Sequence, residues 1–436
     1  MEKLYQYLWK SGIAGRELTL TDGRRLTVFD PGVLNNDAGP DFFNAKIMLD
    51  GTEWVGNVEI HVKASDWHRH GHDGDRAYDS VMLHAVAVAD SKVTRSDGSL
   101  IPTVELVAPQ TFYTAYAALE GGLASVRCAP GIPLLSPLHV TDWIESLAVE
   151  RLQAKASRVA AILDGNASDW RQAAFVTLAR ALGFGLNSQP FEMLGRSLPL
   201  GAVSRHSDSV FQIEALLFGQ AGMLDPNTPV TDEYHQSLCQ EYVFLARKYG
   251  LRPIPSGQWK YARTRPQNFP HRRIAFLAKV LEGGFTIADS MMHAGDEPDD
   301  LRPLFDTEVS EYWKTHSAFG VTATGISSHL SKGSVDLLII NAVAPLAYAF
   351  ASMTGDCERA ERIMSLLCNI PAENNSIVRQ WSSVGIRCRS AWESQALIHL
   401  RKEYCDTRKC LYCRFGHRLL RICAGKAERT VSQQIS

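Results

Sequence analysis

The stretch "FFNAKIMLDGTEWVGNVEIHVK" (42–63) decides the fold. Two runs of residues flank Asp50-Gly51, a dipeptide that favours a two-residue type I′ hairpin turn because both positions accept positive φ. Such a turn pairs Leu49 with Thr52 and carries the register back through Ile47–Trp54 and Ala45–Gly56. Continued without interruption, it sets Phe43 opposite Val58 and Asp41 opposite Ile60. In the second strand Val58, Ile60 and Val62 alternate with Asn57, Glu59, His61 and Lys63, the pattern of one buried and one polar face. A carboxylate, an imidazole and an ammonium therefore follow one another along one face. Asp41 enters the hairpin within one residue of them. Strict pleating turns it to the other face, and a bend at Gly39-Pro40 is expected to re-aim it.

Working outward, "EKLYQYLWK" (2–10) places Leu4, Leu8 and its aromatics at helical spacing, and "RLTVFD" (25–30) reads as a strand. "SVMLHAVAV" (80–88) is a mostly apolar run suited to an interior strand. Residues 1–107 thus read as helix, three strands, short helix, strand: an αβββαβ order with a mixed sheet. Residues 108–136 carry Pro109, Pro130 and Pro133 with Gly121, Gly122 and Gly131, and read as a linker. From 137 to 400 amphipathic helical runs follow one another with no fixed repeat period. Residues 401–436 form a small basic, cysteine-containing element. The expected fold class is α+β, an α/β N-terminal domain ahead of a large all-α region.

The chain has 436 residues, 45% hydrophobic and 21% charged, a composition that excludes a disordered or collagenous chain. Its net charge of -2 says little about partners, because the charges are segregated along the chain. The N-terminus lacks a basic-then-apolar leader, so export is not expected. "LLIINAVAPLAYAFASM" (337–353) is short for a bilayer span and contains Asn341 and Pro345, so it reads as a buried helix, and no membrane partner is expected. Nine cysteines, an odd number, point to thiols or metal ligands in a reducing compartment, with the cytoplasm expected.

Two carboxylates and a lysine at the mouth of a hairpin suit metal-dependent phosphodiester hydrolysis. Carboxylate oxygens hold Mg²⁺ or Mn²⁺, and a cation offsets charge developing on the phosphate. "GPDF" (39–42) followed by "VEIHVK" (58–63), in this element order, resembles the PD-(D/E)XK nuclease superfamily. The resemblance implies that Asp41 and Glu59 bind metal. The family lysine falls two residues after the second acid, where this chain has His61, and Lys63 lies one pleat further. His61 then substitutes as ligand or base, or Lys63 reaches across. The whole chain also resembles a long bacterial family known only as a domain of unknown function, through "NNDAGPDFFNAKI", "GNVEIHVKASDWHRHGH", "YDSVMLHAVAV", "RPQNFPHRRIA" and "YCDTRKCLYC".

Three further groups bear chemistry. "DWHRHGHDGD" (66–75) offers His68, His70 and His72 beside acids, as a supporting phosphate contact, a proton carrier or ligands of a second metal. His84 on the following strand reads as a hydrogen-bonded core histidine. Between Glu241 and Glu282 there are nine Lys/Arg and no acid. Trp259, Lys260, Arg263, Arg265, Arg272 and Arg273 are the expected nucleic-acid contacts there, by phosphate pairing and base stacking. "YCDTRKCLYCRFGH" (404–417) supplies Cys405, Cys410, Cys413 and His417, a spacing for structural Zn²⁺, or for an iron–sulfur cluster with Cys388 or Cys423 as fourth ligand. Two functions of different class follow: a Mg²⁺- or Mn²⁺-dependent nuclease acting on DNA or RNA, and a non-catalytic nucleic-acid-binding or scaffold protein on an inert nuclease-like domain.

Overall fold

The computed structural model describes residues 1–122, 124–225, 232–262 and 264–434, with side chains to residue 425. It divides into two compact units, Met1–Trp143 with Arg401–Ser436, and Ile144–Leu400. The expected linker 108–136 and the cysteine element 401–436 therefore both belong to the first unit. The linker is not structureless: helix Gln110–Gly121 packs its Phe112 and Leu119 into the first unit's core.

In that unit α1 (Glu2–Ser11) precedes β1 (Glu17–Thr19), β2 (Arg25–Asp30), β3 (Val33–Leu34), β4 (Phe42–Leu49) and β5 (Thr52–Lys63). A short helix α2 (Asp66–Arg69) and two single turns lead to β6 (Val81–Val88) and β7 (Thr103–Glu105). The sheet runs β1-β2-β4-β5-β6-β7, with β3 also paired to β4. β5 is antiparallel to β4 and parallel to β6, so the sheet is mixed. An antiparallel bridge from Leu20 to Val104 joins its two ends.

The hairpin turn is as the sequence dictates, with φ of 48° at Asp50 and 80° at Gly51. The register holds from Leu49↔Thr52 to Ala45↔Gly56 and then slips, so that Phe42, not Phe43, faces Val58. Phe43 and Asn44 share the single partner position Asn57. Asn44 takes the left-handed conformation (φ 55°), and its N–H donates to the Asn57 side chain at 3.3 Å. This is a β-bulge, with asparagine tolerating the left-handed region as few side chains do. Gly32 makes room for it: a Cβ there would stand 2.4 Å from the Phe43 carbonyl oxygen. The bulge, rather than the expected Gly39-Pro40 bend, re-aims Asp41.

Each face of the sheet is covered. On one, Val58, Ile60, Leu83, Ala85 and Val104 pack with Leu4, Leu8 and Trp9 of α1. On the other, Trp67, Ala64, Val81, Val86, Val93 and Ile101 form a smaller cluster. Trp67 is fully buried and its indole N–H donates to the Thr94 carbonyl at 3.0 Å, which satisfies the ring's one polar atom. It pins the connection between β5 and β6 over the polar face of β5.

Among the described residues the second unit is helical apart from a two-stranded hairpin, His316–Ala318 with Val321–Thr322, and an isolated bridge between Pro371 and Ser390. The apolar run 337–353 lies in a helix spanning Lys332–Thr354, long and apolar enough to cross a membrane by length and composition, and largely buried within the protein. A π-helical turn at Ile339–Val343 precedes Pro345, widening the helix where proline removes an N–H. Lys155 reaches in and donates to the Ile340 carbonyl at 3.2 Å and to Asn341 Oδ1 at 2.8 Å.

Candidate metal centre

β5 carries Glu59 and His61 on the face opposite Val58 and Ile60, and both are buried, at 5% and 0% exposure. The face read as polar and open is covered by the segment 66–78. In register beside Glu59 lies His84 of β6, also fully buried.

Asp41 and Glu59 interlock. The Asp41 N–H donates to Glu59 Oε2 at 3.0 Å, and Asp41 Oδ2 accepts the Ile60 N–H at 2.9 Å. Asp41 Oδ1 accepts the Gln6 amide at 2.8 Å. Each Asp41 oxygen thus has a protein donor, which holds the carboxylate in place beside Glu59. Glu59 Oε1 faces the histidines, 3.5 Å from His72 Nε2 and 3.7 Å from His61 Nε2. His61 Nε2 is also 3.1 Å from His70 Nδ1. The ligand atoms of His61, His70 and His72 all lie within 4.8 Å of one another. Three imidazoles therefore converge, with His70 on the solvent side and the other two buried, and Glu59 Oε1 lies beside the two buried ones.

The second layer fixes this geometry. His61 Nδ1 meets His84 Nε2 at 2.8 Å. With His61 Nε2 presenting its lone pair to the centre, Nδ1–H donates to His84, whose own proton then sits on Nδ1. That Nδ1 is buried without a partner among the described residues. Tyr78 stacks on His72 at 3.7 Å, and Trp67 meets the edges of His72 and His84.

Electrostatics follow from burial. Glu59 is pushed up to about 9 by desolvation, then by the Asp41 charge. Asp41 is pushed up to about 6 by desolvation, against the Ile60 N–H, with Glu2 adding repulsion. His61 and His84 are driven well below the usual imidazole value by desolvation, then by neighbouring histidines. A carboxyl that holds its proton beside neutral imidazoles is a site short of positive charge.

The structure thus brings together Asp41, Glu59, His61, His70 and His72. His68 lies aside, exposed, 3.4 Å from Asp73. Lys63 is exposed at the end of β5, where its charge acts on Asp90. Glu2 and Gln6 of α1, unremarked in the sequence, reach the site; nothing in their spacing marks them.

The other expected residues divide. Trp259 is buried with its N–H on the Ala221 carbonyl. Arg272 and Arg273 are buried too, at 4% and 6% exposure, so these three are not surface contacts. Lys260 and Arg265 are exposed, and Arg263 lies outside the described residues. Burial raises the Cys128 thiol, and the Cys413, Cys405 and Cys410 sulfurs raise it further, so Cys128 joins the expected cysteines. Cys413 accepts the N–H groups of Phe415 and Gly416. His417 instead bonds the Tyr7 hydroxyl through Nδ1 at 2.7 Å. Among the described residues, no three cysteine sulfurs approach as closely as the histidine nitrogens do. Cys128 escaped the sequence reading because it lies 277 positions before Cys405.

No curated protein and no solved structure matches the chain. A family described as "Protein of unknown function (DUF2851)" matches residues 2–376, and the chain belongs to that family.

Proposed function

We propose that the chain is a metal-dependent hydrolase of nucleic-acid phosphodiesters, with its centre at His61, His70, His72 and Glu59. One observation carries this reading: three imidazole nitrogens converge from β5 and the β5–β6 connection, with Glu59 Oε1 beside those of His61 and His72. This donor set suits Zn²⁺ or Mn²⁺ better than Mg²⁺, which prefers an all-oxygen shell. A divalent ion bound there supplies a Lewis acid for a phosphoryl oxygen and acidifies water. His61, held by His84, and His72, held by Tyr78, keep their nitrogens aimed; Glu59 completes the set once it gives up its proton. Asp41 holds Glu59 in place and, at about pKa 6, is suited to exchange a proton near neutrality.

The substrate class rests on a neighbouring cavity of about 360 Å³ whose lining includes Gln6, Lys10, Tyr412, Arg414 and His417 and no carboxylate. Gln6 links it to the centre through its bond to Asp41. Arg414 is paired with Asp142 and lies over the Trp143 ring, so Lys10 is the cation left to a polyanion there, with the exposed Tyr412 beside it for base stacking.

The test is cleavage of single- and double-stranded DNA and RNA by metal-stripped protein given Zn²⁺, Mn²⁺ or Mg²⁺, beside His61→Ala and Glu59→Gln proteins. Cleavage that needs Zn²⁺ or Mn²⁺ and vanishes in both variants is the expected result. Cleavage surviving both sinks the site. Salt-sensitive binding without cleavage moves the function to the non-catalytic class.

The cysteines support a structural metal in the same unit, with Cys128 rather than His417 as the fourth ligand. Thiolates of Cys413 type, capped by main-chain N–H groups, suit Zn²⁺ or an iron–sulfur cluster.

A further inference from the structure

We infer that the helical unit holds a phosphate-binding pocket built on Arg272 and Arg273. A cavity of about 120 Å³ opens beside the start of helix Pro270–Leu281, lined by both arginines and by Asn268, Ser327, Ser331 and Ser334 among others. The two guanidinium groups come from consecutive residues and are almost wholly inside the protein.

Among the described residues neither has a carboxylate partner. Arg272 donates to the carbonyls of Trp313, His316 and Ser327. Arg273 donates to Asn268 Oδ1 at 2.6 Å, and its guanidinium lies 4.2 Å over the Phe184 ring. Both keep a buried Nε–H with no acceptor. Glu308, beside the serine loop, is taken up by Lys314 at 2.7 Å and His329 at 3.6 Å. Desolvation, and then the Arg272 charge, press Arg273 down to about 10.

Neutral carbonyls and an aromatic face orient these charges without cancelling them, and two adjacent uncompensated charges in the interior call for an anion. The lining chooses the anion. Guanidinium groups match phosphate oxygens in fork geometry. Serine hydroxyls add donors, and no side chain caps the helix start. The volume is well above the roughly 10–15 Å³ that one water needs and admits a tetrahedral oxyanion. The pocket lies wholly in the second unit, so it does not rest on the histidine centre.

The test is calorimetry and thermal melting of full-length, metal-stripped protein with inorganic phosphate, against chloride at equal ionic strength. A nucleoside 5′-monophosphate forms the second arm. Expected is saturable binding of phosphate that raises the melting temperature, with affinity falling at least tenfold in Arg273→Gln. Asn268→Asp, which places a carboxylate on Arg273, loses the response too and melts higher than wild type without phosphate; it decides the matter if Arg273→Gln does not fold. His61→Ala keeps the response. Binding of phosphate alone assigns the pocket to the free ion, and binding of both arms to an esterified terminus. Absence of a saturable response in wild type, or its survival in Arg273→Gln and Asn268→Asp, overturns the pocket.

Discussion

The Asp41 main-chain N–H donates to Glu59 Oε2 at 3.0 Å, while Asp41 Oδ2 takes the N–H of the next residue, Ile60. The two acids are thus clamped by backbone as well as side chain. Moving either strand by one position breaks both bonds at once.

That clamp depends on Asn44. A β-branched side chain in the left-handed region costs about 1–2 kcal/mol, so Asn44→Val is expected to lose that much stability and to weaken metal binding. Asn44→Gly keeps both, because glycine adopts the bulge freely. Urea denaturation and metal titration of the two variants check this; equal behaviour would remove the bulge from the account.

Glu59 makes the metal-free protein pH-sensitive. The unfolded chain ionises this carboxyl near 4.5, whereas the fold keeps it protonated to about 9. Stability from this group is therefore lost as pH rises between those values, on the order of 3 kcal/mol by pH 7. Above about pH 7, where the lowered histidines and Asp41 no longer add slopes of their own, Glu59→Gln removes the fall and raises the melting temperature of metal-free protein at pH 8, while weakening metal binding. A melting series from pH 5 to 9 with chelator shows it. A flat wild-type profile contradicts it.

His84 lies outside the three converging imidazoles and meets His61 Nδ1 at 2.8 Å, where it orients that ring. His84→Ala is expected to cost roughly 10–100-fold in metal affinity, as removal of an outer partner does. His68→Ala, outside the convergence, leaves affinity unchanged. Competition with a chromogenic chelator separates the two.

At the cysteines, as-purified protein made without oxygen is expected to carry zinc, or iron with sulfide. Cys128→Ser loses it, whereas His417→Ala retains it. Elemental analysis decides, and a metal-free wild-type protein would end the structural-metal reading.

The sequence showed much of the hairpin because period-two alternation and the Asp50-Gly51 turn are local signals. It misplaced Asp41 by one position because a bulge depends on a single residue's φ. The doubled aromatic Phe42-Phe43, which breaks the alternation, was its only trace. Glu59 and His61 were legible as a polar face, but their burial was not, since Trp67 covers them from beyond the strand. The arginines at 272 and 273 looked like surface charge because composition cannot show that carbonyls, not solvent, receive them. Cys128 and Glu2 reach their groups only through the tertiary fold.

The phase of β4 is reset at Asn44, between the hairpin tip and the histidine centre. Two residues added at Asp50-Gly51 would lengthen the ribbon without turning Asp41 away from Glu59. One residue gained or lost between Asn44 and Asp41 would exchange the two faces at the centre. Paired additions at the tip thus leave the faces at the centre in place, whereas a single addition between Asn44 and Asp41 exchanges them.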